Sequence, residues 1–233
     1  MVVSTELPPS AEQDETPPAG SGWPLRTLLL AVLGVALLAL ASGVGYIAGH
    51  RTGSAMPDAG SVDAGFTWDM AFHHRQAVTM AGYTRDNSTG AIRTLAYDIE
   101  TSQYNQVGQF QGWLDTWGLP PQNPGTPMSW MSHGHGMAME SAGPEDPMPG
   151  MATQAEIGKL QTMTGKPLEV YFLQLMLRHH QGGLEMAQYG ADHAGESYVR
   201  NAAQKIADAQ SGEVVLMERM LRERGASPLP PPS

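Results

Sequence analysis

The chain contains no cysteine, which excludes disulfides, thiolate metal sites and a cysteine nucleophile. Basic residues are scarce: 13 lysines and arginines stand against 23 aspartates and glutamates, a formal net charge of -10. Phosphate binding needs a clustered basic surface, so this balance argues for no nucleic-acid partner and makes cations the more natural ligands. No Glu-x-x-His occurs anywhere, so the paired motif of di-iron carboxylate bundles is missing. No nucleophile with a paired base and no glycine-rich phosphate loop after a strand can be found, which leaves no positive case for hydrolase or nucleotide chemistry. Formal charge is absent from one long run, Thr27 to Ala48, and 22 helical residues would span the ~30 Å hydrocarbon core.

What the chain does have is methionine, at 15 of 233 residues, a length suited to one ordinary domain with extra segments. Residues 1–24 are acidic, proline-containing and too poor in apolar side chains to fold alone, so a disordered tail is expected. Residues 25–48 are expected to form a single-pass transmembrane anchor. A cleaved signal peptide is the alternative, since Ala39-Leu40-Ala41 resembles a cleavage site, but the acidic tail lacks the basic character such a leader carries. Arg26 and Arg51 flank the run on both sides and do not orient it. A short tail before a first span usually stays inside, which would put the rest of the chain outside the cytoplasm at the cell membrane. Residues 49–61 read as a linker and 226–233 as a proline-rich tail.

Between them, helical periodicity runs over about 62–85 and 89–117, then again over about 167–193 and 196–224. Gly118 with Pro120 and Pro121 stops the second segment, and Gly225 with Pro228 the last. Residues 119–151 hold prolines, glycines and methionines without a sustained period and are expected to form a long connection. Thr153 and Glu156 give a capping-box pattern that opens a short helix, expected to run to Gly165.

The two helical pairs are a repeat. A shift of 106 matches Phe66, Met70, His73, His74, Met80, Ala81 and Tyr83 to Phe172, Met176, His179, His180, Met186, Ala187 and Tyr189. With one more residue inserted, Ala96, Ile99, Gln103, Val107, Leu114 and Gly118 match Ala203, Ile206, Gln210, Val214, Leu221 and Gly225. Two repeated helical hairpins, each needing a partner for its apolar face, make a four-helix bundle. The long connection permits a ferritin-like crossover, so the expected fold over 62–225 is all-α.

These motifs resemble the domain of unknown function 305 family, recognised by a Met-x-x-His-His-x-x-Ala-x-x-Met-Ala pattern. Met70, His73, His74, Ala77, Met80 and Ala81 fit it; Met176, His179, His180, Met186 and Ala187 fit it with Gly183 in place of the alanine. The resemblance implies a ferritin-like fold and candidate metal ligands, since some family members are associated with copper outside the cytoplasm. It implies no reaction.

Met70 lies three residues before His73 and four before His74, so all three side chains can approach one another on a helix. Imidazole suits copper or zinc, and a thioether favours Cu(I). Packing alone asks for apolar residues at these places and does not ask for histidine twice. Met70, His73, His74, Met80, Met176, His179, His180 and Met186 are therefore the candidate metal ligands. Within the connection, His133, His135, Met137 and Met139 offer further donors on a backbone free to wrap an ion. Asp69 and Glu185 read as surface charges, with an outer-shell contact to histidine as the alternative. Gln103, Gln210, Glu100 and Glu213 are candidates for hydrogen bonding in the interior. Trp113, Trp117 and Trp130 are expected to pack the bundle end and the connection.

If the repeats are related by a twofold, the first and third bundle helices run antiparallel and should cross at Ala77 and Gly183. That places His74 level with Met186 and His180 level with Met80, giving two equivalent sites; a single site on the axis is the alternative. The expected function is a membrane-anchored, extracytoplasmic protein that binds copper, as Cu(I) or Cu(II), and buffers it or hands it on without catalysis. A metal-free structural module of the envelope is the runner-up, and a ferritin-like redox enzyme is third. The sequence does not set an oligomeric state.

Overall fold

The computed structural model describes residues 25–51, 56–133 and 148–230. These divide into two units, Met1–Ala55 and Met56–Ser233. In the first, helix α1 covers Leu25–Arg51, and Leu30, Val35 and Leu38 on it are 68–70 % exposed. Among the described residues no helix is long and apolar enough to cross a membrane. Side chains toward both ends of α1 lie outside the described set, so the expected span rests on the sequence. The tail 1–24 also lies outside it.

The second unit is built from helices α2 (Val62–Asn87), α3 (Gly90–Trp117), α4 (Gln154–Leu160), α5 (Gly165–His193) and α6 (Ser197–Glu223). No strand occurs among the described residues. Two residues join α2 to α3 and three join α5 to α6, so each pair folds back as an antiparallel hairpin. The hairpins meet through α2 and α5.

Local chemistry sets the ends. Ser61 caps α2 by accepting from the Ala64 amide, and Asp63 places negative charge in its first turn. The Asp63 carboxylate also accepts from the amides of Gly195 and Glu196, tying the start of α2 to the α5–α6 junction. Gly118 at φ 69° and Gly225 at φ 65° end α3 and α6 in the left-handed region. Leu119 N then donates to Leu114 O, and Ala226 N to Leu221 O, so the repeat extends to the caps. The capping box at Thr153 forms as expected, but α4 stops at Leu160. Gly165, at φ 60°, opens α5 instead of closing α4.

The core has two clusters, one at each end of the α2–α5 contact. Phe66, Met70, Phe110, Leu114, Trp130 and Met186 belong to the first; Met80, Ile99, Phe172, Met176, Met217 and Leu221 belong to the second. Burial of each phenylalanine or leucine stabilises by about 1.5–3 kcal/mol, so these residues account for the hairpin packing without help from the histidines.

The connection is more structured at its ends than its composition suggests. A 3-10 turn covers Ser129–His133, and Met128, Trp130, Met148 and Met151 are buried. Asp69 is the reason at one end. Far from being a surface charge, it is 2 % exposed and accepts from Met128 N (2.6 Å), Trp130 Nε1 (2.8 Å) and Asn123 Nδ2 (3.0 Å). At the other end, the Gln76 side-chain amide donates to Ala152 O (2.8 Å) and accepts from Ala152 N (2.7 Å). Gly182 lets the Pro149 carbonyl lie so close that a Cβ there would be 2.0 Å from its oxygen. Gln76 and Gly182 occupy matched places in the two repeats, so Met148–Ala152 is strapped across both helices.

Candidate metal centre

Antiparallel α2 and α5 meet at glycines. A Cβ at Gly190 would strike the Phe66 ring at 2.6 Å, and one at Gly183 would stand 2.8 Å from His73 Cε1 and from Gln210 Oε1. This explains why glycine replaces alanine in the second motif: the His73 ring occupies the space. The pairs Phe66–Gly190 and His73–Gly183 also fix the register, since seven residues forward on α2 match seven back on α5. Met70 therefore lies level with Met186, and Met80 with Met176. The expected crossing of Ala77 on Gly183 is thus displaced by four residues, because the ring and not the alanine methyl fills the gap. His74 accordingly lies level with Gly182 and not with Met186. Each methionine pair falls within one core cluster, and the pairs bracket the histidines along the bundle axis.

His73, His74, His179 and His180 are all completely buried. The His73 and His179 rings stack across the interface, centroids 3.7 Å apart at 30°, while each ring lies 6.2–6.4 Å from its neighbour in the doublet. His179 Nε2 donates to the His73 carbonyl at 3.1 Å, and His180 Nε2 meets Glu213 Oε2 at 2.5 Å. The remaining six ring nitrogens, both on His73, both on His74 and Nδ1 on His179 and His180, are buried without a hydrogen-bond partner. The Pro149 carbonyl near His73 and the Gln106 side chain near His74 oppose the fall in their pKa, yet neither makes a hydrogen bond of good geometry.

Burial is the largest cause holding His73 down to about 3, with nearby His180 adding to it. Burial likewise holds His74 and His179 well below the usual value of 6.5, reinforced in both by His73. These three are neutral at physiological pH, the form in which an imidazole offers a lone pair. Donation from His179 Nε2 to the His73 carbonyl leaves Nδ1 as the free electron pair on that ring.

The other candidates sort plainly. Gln103 and Gln210 are 3 % exposed on α3 and α6, and Gln103 Oε1 and both amide atoms of Gln210 lack a partner. Glu213 reaches His180, whereas Glu100 pairs with Arg85 at 2.5 Å. Glu185 is exposed. Trp113 and Trp117 pack with Tyr198 between α3 and α6, and Trp130 packs edge-on against Phe66. The loop donors His135, Met137 and Met139, and the His133 side chain, lie outside the described residues. Among the described residues no three of histidine, aspartate and glutamate form a group placed to hold a metal. Sequence reasoning had no signal for Gln106 or Gln76 except their places in the repeat.

The family model described as a domain of unknown function, DUF305, matches residues 63–221. A solved structure from Streptomyces coelicolor, described as a candidate secreted DUF305 protein, is 42 % identical, covers 74 % of this chain and 99 % of its own, and gives a TM-score of 0.66. A DUF305 fragment from Deinococcus radiodurans is 33 % identical, covers 70 % of this chain and 96 % of its own, and gives 0.55. CopM in its Cu(I)-bound form is 19 % identical with a TM-score of 0.51, covering 69 % of this chain and 96 % of its own, a likeness of fold alone. No curated protein matches.

Proposed function

The chain belongs to the domain of unknown function 305 family, and from that membership and the buried imidazoles we propose that it binds copper outside the cytoplasm and buffers the ion or hands it on. The observation that carries this reading is the set of six buried ring nitrogens without a partner. Each unsatisfied buried donor costs about 1–3 kcal/mol, and a core would shed such groups unless something used them. The donor set suits the cargo: neutral imidazoles beside thioethers favour copper over magnesium or calcium. CopM, which shares the fold, is known in Cu(I)-bound and Cu(II)-bound forms.

His74 with Met70 and Met186 would form one site, and His180 with Met80 and Met176 the other, with stacked His73 and His179 between them. The exposed leucines and valines of α1 support membrane attachment through that helix, and a relative described as a candidate secreted protein supports an external domain. No residue is assigned a catalytic step. The test is a titration of the full chain in detergent micelles with Cu(I) and with Cu(II), followed by metal analysis. Binding below micromolar free copper is expected, and absence of binding in both oxidation states would end the proposal.

A further inference from the structure

Glu213 on α6 contacts His180 at 2.5 Å. The offset of 107 that matches Gln103 to Gln210 matches Gln106 to Glu213. Gln106 stands beside His74 as Glu213 stands beside His180, and both side chains are half-buried. The two halves of the repeat thus carry the same proposed ligands, a histidine and two methionines, and differ in a carboxylate against an amide.

That difference has a chemical consequence. With a metal on Nδ1, His180 donates Nε2–H to the carboxylate, which fixes the tautomer and the orientation of the ring, as carboxylates behind metal-binding histidines do. It also places a negative charge one ring away from whatever Nδ1 binds, and in the interior that charge favours a dication more than a monocation. His74 has neither nitrogen engaged and faces a neutral amide. Its setting is that of a soft monocation held by thioether and imidazole.

We propose that the halves are specialised by oxidation state: both take Cu(I), and the His180 half, with Glu213 as its positioning residue, holds Cu(II) more tightly than the His74 half, which Gln106 faces. This rests on the copper reading above and goes beyond it, since a symmetric protein with two equal sites would satisfy that reading equally well.

The experiment uses the full chain in detergent micelles, with Cu(II) followed by electron paramagnetic resonance and Cu(I) by competition against a chromophoric chelator. Two Cu(I) equivalents are expected, but only one tight Cu(II) equivalent, the second weaker by tenfold or more. Glu213→Gln should weaken the tight Cu(II) site about 10–100-fold and alter its nitrogen hyperfine pattern, with Cu(I) at that half weakened at least tenfold less and Cu(I) at the His74 half unaltered, while Glu213→Asp recovers part of the loss. Gln106→Glu should strengthen the weak Cu(II) site, a gain that a folding defect cannot imitate. Equal Cu(II) affinities in the wild type, or parallel loss of both oxidation states in Glu213→Gln, would overturn the specialisation and leave copper binding intact. A chain that binds neither ion would instead overturn the copper reading.

Discussion

Replacing His74 with leucine should leave the copper-free protein at least as stable as the wild type, an unusual result for a fully buried polar residue. Both ring nitrogens of His74 are buried without a hydrogen-bond partner, and the ring lies 5.9 Å from Phe110. Removing an unsatisfied buried donor recovers about 1–3 kcal/mol. The change in shape for a side chain of similar volume costs less than about 1.5 kcal/mol. The net gain should therefore centre on about 1 kcal/mol, or roughly 2–4 °C in melting temperature for a domain of this size. Adding copper reverses the order: a wild-type site at 100 times its Kd gains about 2.7 kcal/mol that a variant lacking that site cannot. Calorimetric melts with a chelator and then with copper measure both quantities. A copper-free variant less stable than the wild type by more than about 1 kcal/mol would show that His74 serves the core, and the argument from unpaired nitrogens would fail.

Lowered histidine pKa values predict acid sensitivity. Below pH 6.5 the unfolded chain takes up protons that His73, His74 and His179 refuse in the fold, so stability is complete above that pH and is lost as pH falls toward the folded values, about 3 for His73. Each contributes about 1.4 kcal/mol per pH unit once the unfolded chain is protonated, so denaturant midpoints should collapse between about pH 6 and 4; a flat profile there would refute the burial. Asp69→Asn leaves the bundle helices in place but turns an acceptor of three donors into an amide, and hydrogen exchange at the Met128 amide should rise at least tenfold, a change of about 1.4 kcal/mol. Unaltered exchange there would remove Asp69 as the anchor of the connection. Changing His74 and Met186 together should halve the copper stoichiometry, whereas complete loss would mean one shared site on the axis.

The helices and their pairing were legible because periodicity, capping and the repeat agree. The offset found between Gln103 and Gln210 holds down to the caps at Gly118 and Gly225. The candidate histidines could be picked out because nothing in packing demands them. The register between α2 and α5 could not be read, although both small residues were visible. Small side chains mark where helices approach, but Gly183 receives a ring from the other repeat, and sequence spacing does not say which residue enters the gap. Asp69 misled for a related reason. A carboxylate near an exposed helix position reads as a surface charge until the segment that buries it is known, and its donors come from residues 54–61 positions away.

The same limit hides what distinguishes the second repeat from the first. Where the first motif continues His-His with Arg75, Gln76 and Ala77, the second has Gln181, Gly182 and Gly183. Two identical hairpins could not pack this way, since an alanine at 183 would drive its Cβ to within 2.8 Å of the His73 ring, and any side chain at 182 would collide with Pro149. The two glycines therefore let α2 and the Met148–Ala152 strap close over the same stretch of α5, and Gln76 holds the strap from the other helix. Glycine in a helix interior costs up to about 1 kcal/mol relative to alanine, so two in succession are a sequence-level sign that something must approach the backbone there. What approaches is a histidine on one side and the methionine-bearing strap on the other. The absence of side chains at 182 and 183 thus lets the imidazoles be sealed from water, and that burial keeps His73, His74 and His179 neutral and ready to donate.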